Sequence, residues 1–288
     1  MSDTSFGPLR IWTAETEIAV SEAHPAPLAP LLQRLALGEV LRPALHLREP
    51  IEPLSLAWFQ ELERIRYHRH GRWLPRLLDF GKYHGERLLG LGSSLGTDLV
   101  NFATRGVEVL VANPVSEQLA FVKRNFDLRR LPAIFLHAHP MALPIETGSI
   151  DIVFINGLLH ESPDPALVVE ETYRVLKPGG KLVAIVPSQR ETDFFAKIVQ
   201  RFRRARPAAA AIDGATVPLR RPFDRRSLGQ LLARFQEPQI FRRHLRRADV
   251  PHVCRWLPLG MLERFTGRLL LFKGFKPVSA SRGESIAA

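Results

Sequence analysis

Between residues 86 and 187 the chain alternates short, nearly pure apolar runs with amphipathic stretches, and this alternation constrains the fold more than any other feature. Arg87-Leu-Leu-Gly-Leu91 reads as a strand that stops in the turn Gly92-Ser-Ser-Leu-Gly96, and a helix over 97–105 follows. Residues 107–112 read as a second strand, 116–125 as a second helix, 133–136 as a third strand and 150–155 as a fourth. A helix over 165–176 is expected to end at Pro178-Gly-Gly180, where proline cannot continue it and glycine accepts the turn. Residues 181–186 are then a fifth strand. Strands that are apolar on both faces, spaced by helices, mean βαβ units in a mostly parallel sheet covered on both sides.

The remainder divides around this core. Residues 1–54 are weakly patterned and rich in proline, and read as an N-terminal extension with a short helix over 31–37. The core spans 55–190. Its first part, 55–79, is helical, with Trp58, Phe59, Leu62 and Ile65 near one side and Trp73, Leu74, Leu77 and Leu78 following Gly71. Residues 191–277 read as a basic cover and C-terminal strands of the same domain. A cover helix over 192–206 sets Phe194, Phe195, Ile198, Val199 and Phe202 against Lys197, Arg201 and Arg204. A helix over 227–235 and strands over 239–245 and 268–275 come next, and 278–288 is a flexible tail.

Composition narrows the function classes. The 288 residues are 45% apolar and 24% charged, the balance of a globular protein with a sizeable core. A single cysteine, Cys254, excludes an internal disulfide and a multi-cysteine zinc site, and fits a reducing, cytoplasmic setting. No secretory leader pattern and no membrane-span-length apolar run is present. The net charge of +11 is unevenly placed: residues 1–200 carry 21 basic and 23 acidic side chains, residues 201–288 carry 19 and 6. Paired arginines such as Arg203-Arg204, Arg220-Arg221, Arg225-Arg226, Arg242-Arg243 and Arg246-Arg247 supply the excess. An anionic ligand or surface meeting this lobe is the functional reading, and a solvated arginine face the plainer one. No specific nucleic-acid motif accompanies it.

A tight glycine turn between a first strand and its helix lets a backbone approach a ligand closely, in the crevice beyond the carboxyl ends of the strands. Here it reads Gly90-Leu-Gly92-Ser-Ser94-Leu-Gly96. Gly92-Ser-Ser94-Leu-Gly96 also spells the G-x-S-x-G elbow of an α/β-hydrolase, with Ser94 as nucleophile and Asp151 or Asp164 and His244 or His252 as partners. Against that, the turn follows the first evident strand, and no glycine-rich oxyanion segment precedes it.

Three downstream segments carry a resemblance. Leu143-Pro-Ile-Glu-Thr-Gly-Ser-Ile-Asp-Ile-Val-Phe154, Asn156-Gly-Leu-Leu-His-Glu-Ser-Pro-Asp-Pro165 and Glu171-Thr-Tyr-Arg-Val-Leu-Lys-Pro-Gly-Gly-Lys-Leu182 occur in order. Residues 86–187 thereby resemble the methyltransferase type 11 group of class I S-adenosylmethionine-dependent methyltransferases. The resemblance implies a Rossmann-like, seven-stranded α/β fold, S-adenosylmethionine as cofactor and an unidentified methyl acceptor. Such a cofactor carries an activated methyl group, so proximity and in-line alignment are the enzyme's main contribution.

It also implies site residues. Gly90, Gly92, Ser94 and Gly96 form the cofactor turn, Asn113 ends the second strand at the ribose position, His139 stands at the adenine position, and Asn156 shapes the pocket. Gly90, Asn113 and His139 each occupy a place where the family has an acid, and Ser94 replaces a glycine. Two contacts each weakened by about 1 kcal/mol would lower affinity about thirtyfold. His160 and Glu161 follow the fourth strand, where acceptor and methyl donor meet, and His160 is the candidate general base. His137 and His139 lack an adjacent carboxylate cluster, so no metal is expected. Methyl transfer is the leading reading, and a catalytically inactive relative with a binding or scaffolding role is the alternative.

Overall fold

A computed structural model describes residues 51–92, 95–188, 223–244 and 258–278. The expected helices over 31–37 and 192–206, Ser94, Cys254 and most of the arginine pairs lie outside these residues.

The elements follow the apolar pattern. Helix α1 (Leu56–Arg64) continues as a π-helical turn over Ile65–His70, and α2 (Leu74–Leu78) follows. Then come β1 (Arg87–Leu91), α3 (Thr97–Ala103), β2 (Glu108–Asn113), α4 (Ser116–Leu128), β3 (Ile134–His137) and β4 (Ile150–Asn156). The chain continues through α5 (Pro165–Val175), β5 (Leu176–Pro187), α6 (Arg225–Leu231), β6 (Gln236–Arg243), α7 (Leu259–Thr266) and β7 (Leu269–Phe275). Helix α7 has no counterpart in the sequence reading.

The seven strands form one sheet in the order β3-β2-β1-β4-β5-β7-β6, parallel except that β7 runs antiparallel to both neighbours. This is the Rossmann-like arrangement expected. Because successive strand residues point to opposite faces, each apolar run feeds two layers. Leu89, Leu91, Val153, Ile155, Leu182 and Ala184 pack with Val168 and Val169 of α5 and Leu228 of α6. Leu88, Val109, Val111, Ile152, Phe154 and Val183 pack with Leu99 and Phe102 of α3 and Val122 and Phe126 of α4. Each fully buried leucine or phenylalanine contributes about 1.5–3 kcal/mol.

One expected turn is different. Helix α5 stops at Val175, and β5 begins at once and runs through Pro178-Gly179-Gly180. Ile150 pairs with Leu176 and Ile152 with Lys181, so the extra residues form a bulge. Gly179 takes φ +77°, and a Cβ on Gly180 would meet the Lys177 carbonyl oxygen at 2.8 Å. The two glycines therefore serve a kinked strand rather than a helix stop.

Candidate active site

The strand order reverses between β1 and β4, since β1 leads to β2 and β3 on one side while β4 and β5 lie on the other. A crevice at the carboxyl ends of such a pair is the default ligand site. Its floor is the turn after β1. Gly92 and Gly96 have φ +68° and +72°, conformations that favour glycine. A Cβ on Gly92 would lie 2.7 Å from Leu158 Cβ and 2.9 Å from the Asn156 carbonyl oxygen, and one on Gly96 2.6 Å from Val122 Cγ1. The turn is thus wedged between the β4 loop and α4. Gly90 lies inside β1, where a Cβ would meet Leu99 Cδ1 at 2.6 Å. Leu99 fills the space that an acid would need there.

The expected residues separate into three groups. Asn156 and Gly157 lie against the turn, and His160 lies beside Gly157. A carbon added to Gly157 would sit 3.8 Å from His160 Cε1 and 3.9 Å from the Gly92 carbonyl oxygen. Gly157 thus lies beside both the turn and the histidine. His160 is buried, and its Nε2 is 3.4 Å from Glu161 Oε1.

The second group closes on itself. Asn113 is buried at the end of β2, where its Oδ1 accepts from the Val115 N–H at 2.8 Å and its Nδ2 donates to Gln118 Oε1 at 3.0 Å. Gln118 was not singled out in the sequence; its signal is an amide five residues after a strand-ending amide, in the first turn of a helix.

The third group is the histidines after β3. His137 Nε2 bonds the Pro114 carbonyl at 3.0 Å, and His139 Nδ1 accepts from the Met141 N–H at 3.4 Å. With Nδ1 accepting, a neutral His139 carries its proton on Nε2. Among the described residues no group of three or more potential metal ligands occurs.

Asp98, in the first turn of α3, was also missed. It is buried, and accepts from Arg66 Nε at 2.8 Å, Tyr67 Oη at 2.7 Å and Asn156 Nδ2 at 3.4 Å, with a second bond from Arg66 Nη2. Burial opposes the Arg66 charge, but Asp98 outweighs it and raises the guanidinium above its ordinary range. Burial, reinforced by the Asp98 charge, raises Tyr67 well above the usual phenol. Of the C-terminal arginines described, Arg225 donates to the Ile240 carbonyl at 2.9 Å and Arg242 is buried. Both are thereby used in the fold, which narrows the expected basic face. No helix among the described residues is long and apolar enough to cross a membrane.

Comparison with known proteins agrees with this geometry. Residues 89–184 match a family described as a methyltransferase domain. The demethylmenaquinone methyltransferase of Thermus thermophilus is 33% identical over 117 residues, covering 40% of this chain and 53% of the relative. The chain spans about half that relative's length. A solved S-adenosylmethionine-dependent methyltransferase of Methanosarcina mazei superposes with TM-score 0.50 at 19% identity, covering 70% of this chain and 97% of the other. The solved cyclase SpnF superposes with TM-score 0.52 at 18% identity, covering 85% and 96%. At these identities the structural likeness speaks for the fold alone. Sequence match and strand order together identify residues 89–184 as a methyltransferase domain with a Rossmann-like sheet.

Proposed function

We propose that the chain transfers a methyl group from S-adenosylmethionine to an oxygen or nitrogen of an acceptor. The observation that carries this reading is that the loop bearing Asn156, Gly157 and His160 packs against the glycine turn at the sheet's crossover. The residues present fit the cofactor. Gly92 and Gly96 keep both ends of the turn free of side chains, the remaining acceptor capacity of Asn113 suits a ribose hydroxyl, and the Nε2 proton of His139 suits a base nitrogen. When bound, the cofactor supplies an electrophilic methyl on a sulfonium. His160 takes the proton that the acceptor loses, and Glu161, 3.4 Å from its Nε2, stabilises the resulting imidazolium. The reducing compartment suggested by the single cysteine supports a cytoplasmic setting. An anionic acceptor or surface at the arginine-rich C-terminal part belongs to the same proposal.

A second reading, a catalytically inactive methyltransferase fold that has lost the cofactor and serves a binding or scaffolding role, is supported by Asn113, whose carbonyl and amide both have internal partners. Calorimetric titration with S-adenosylmethionine separates the two. Heat of binding in the micromolar to low millimolar range is expected, and silence at millimolar cofactor overturns methyl transfer. Demethylmenaquinone, named in the Thermus relative, is the first acceptor to assay. With a working acceptor, His160→Ala should lower kcat about 100- to 10,000-fold.

A further inference from the structure

The buried carboxylate of Asp98 is not used by the chemistry above, yet it touches that chemistry's framework from two sides. Its two oxygens receive both arms of Arg66, the Tyr67 hydroxyl and the Asn156 amide. Arg66 and Tyr67 are consecutive residues of the π-helical turn that ends α1, a deformation frequent at functional sites. Asn156 ends β4, one residue before the glycine that faces His160. A planar guanidinium fork fixes direction as well as distance, which a lone point charge does not.

The same helix grips the glycine turn by packing. Leu95, inside the turn, is buried among Trp58, Phe59, Leu62 and Ile65 of the N-terminal helical segment. Its carbonyl accepts from Asn125 Nδ2 of α4 at 2.9 Å. A second polar row supports this contact: Glu63 accepts from Asn101 of α3 and from Arg129, each at 2.8 Å. The turn is held by α1 on one side and abuts the β4 loop on the other.

We propose that Asp98 and Arg66 are positioning residues for the methyl donor, holding the glycine turn and the His160 loop in one relative placement. The proposal rests on the methyl-transfer reading for its consequence but not for its geometry. Asp98→Asn keeps the side-chain volume while removing the charge and placing an amide against the Arg66 donors. It should weaken S-adenosylmethionine binding about tenfold and speed amide hydrogen exchange over residues 95–99, with β5 and β7 unchanged. Arg66→Lys, which keeps the charge and loses the fork, should weaken binding about threefold, and Tyr67→Phe less. If Asp98→Asn does not fold, these two variants carry the test.

The control is Asp79→Asn, which removes a largely buried carboxylate at the other end of the sheet. It should lower stability yet leave the cofactor Kd within twofold. Equal weakening by Asp98→Asn and Asp79→Asn, or unchanged exchange over 95–99, overturns the positioning role. A wild-type protein that binds no S-adenosylmethionine instead overturns the methyl-transfer reading, and the exchange comparison still decides the geometric claim.

Discussion

Two carboxylates, drawn largely out of solvent, sit at opposite ends of the same sheet and are held by different chemistry. At the carboxyl end, Asp98 is held by an arginine fork, a phenol and an amide, each in a fixed direction. At the amino end, Asp79 Oδ2 accepts from Lys273 at 2.7 Å and from Lys181 at 3.1 Å, while Lys82 lies 3.3 Å from Oδ1. Lys181 also donates to the Tyr83 hydroxyl. The lysines come from β5 and β7, 102 and 194 residues away along the chain. Compact ammonium groups satisfy charge from many directions, so the Asp79 centre tolerates small displacements and ties distant strands to the start of the core. The Asp98 centre specifies geometry where a ligand is to be held. One end of the sheet is built for stability and the other for placement.

The largest effect that can break this contrast is at Asp79. Removing it leaves Lys181 and Lys273, both nearly buried, without their carboxylate. Asp79→Ala should cost about 3 kcal/mol in a urea or guanidinium denaturation series. Burial raises the Asp79 carboxyl, but its bonds to Lys273 and Lys181 outweigh that and hold it at about 2, below its ordinary 3.8. A depressed carboxyl gives stability that is complete above about pH 4 and is lost as pH falls through about 2, roughly 2 kcal/mol over that window. The acid limb of the stability curve should therefore flatten between pH 4 and 2 in Asp79→Ala. A variant as stable as wild type, with an unchanged acid limb, would remove the stabilising half of the contrast.

A smaller effect, a difference of about 1–2 kcal/mol, separates two glycines of similar backbone. Gly85, before β1 at the amino end, has φ +90° and open space where a Cβ would go. Gly92 has φ +68° and meets Leu158 and the Asn156 carbonyl within 3 Å. Gly85→Ala should cost about 1–2 kcal/mol from the left-handed conformation alone. Gly92→Ala should cost about 3 kcal/mol, because the β4 loop must also shift. Equal losses would mean that the turn and the β4 loop are not firmly wedged together.

How much of this was legible in the sequence follows from the range of the interactions. The central strands were legible because residues such as Leu88-Leu89 and Ile152-Val153-Phe154 are apolar on both faces, a purely local signal. The glycine turn was legible from its spacing after the first strand, and the position of His160 in the loop after the fourth strand from the resemblance. Asp98 was not, because its partners lie 31, 32 and 58 residues away and a lone acid in a first helical turn looks like an ordinary dipole partner. The missing acid at Gly90 was visible, but its cause, Leu99 lying against the bare Cα, belongs to packing. Pro178-Gly-Gly180 misled because a bulge and a helix stop use the same residues. Gln118 was overlooked because an amide pair has no periodicity.

The smallest expected effect tests the carboxyl end where it lacks a carboxylate. Asn113→Asp would keep the bond from the Val115 N–H and strengthen it through charge. Gln118 now presents Oε1 to Asn113 Nδ2; after the substitution its amide would turn and donate instead. The new carboxylate would have acceptor capacity left for ribose hydroxyls. S-adenosylmethionine should bind about tenfold tighter, roughly 1.4 kcal/mol, by calorimetry. Folding stability should change little, since both internal hydrogen bonds find partners. If affinity does not rise while the protein stays folded, the ribose seat is not what limits binding, and placement at this end rests on the Asp98 centre and the glycine turn alone.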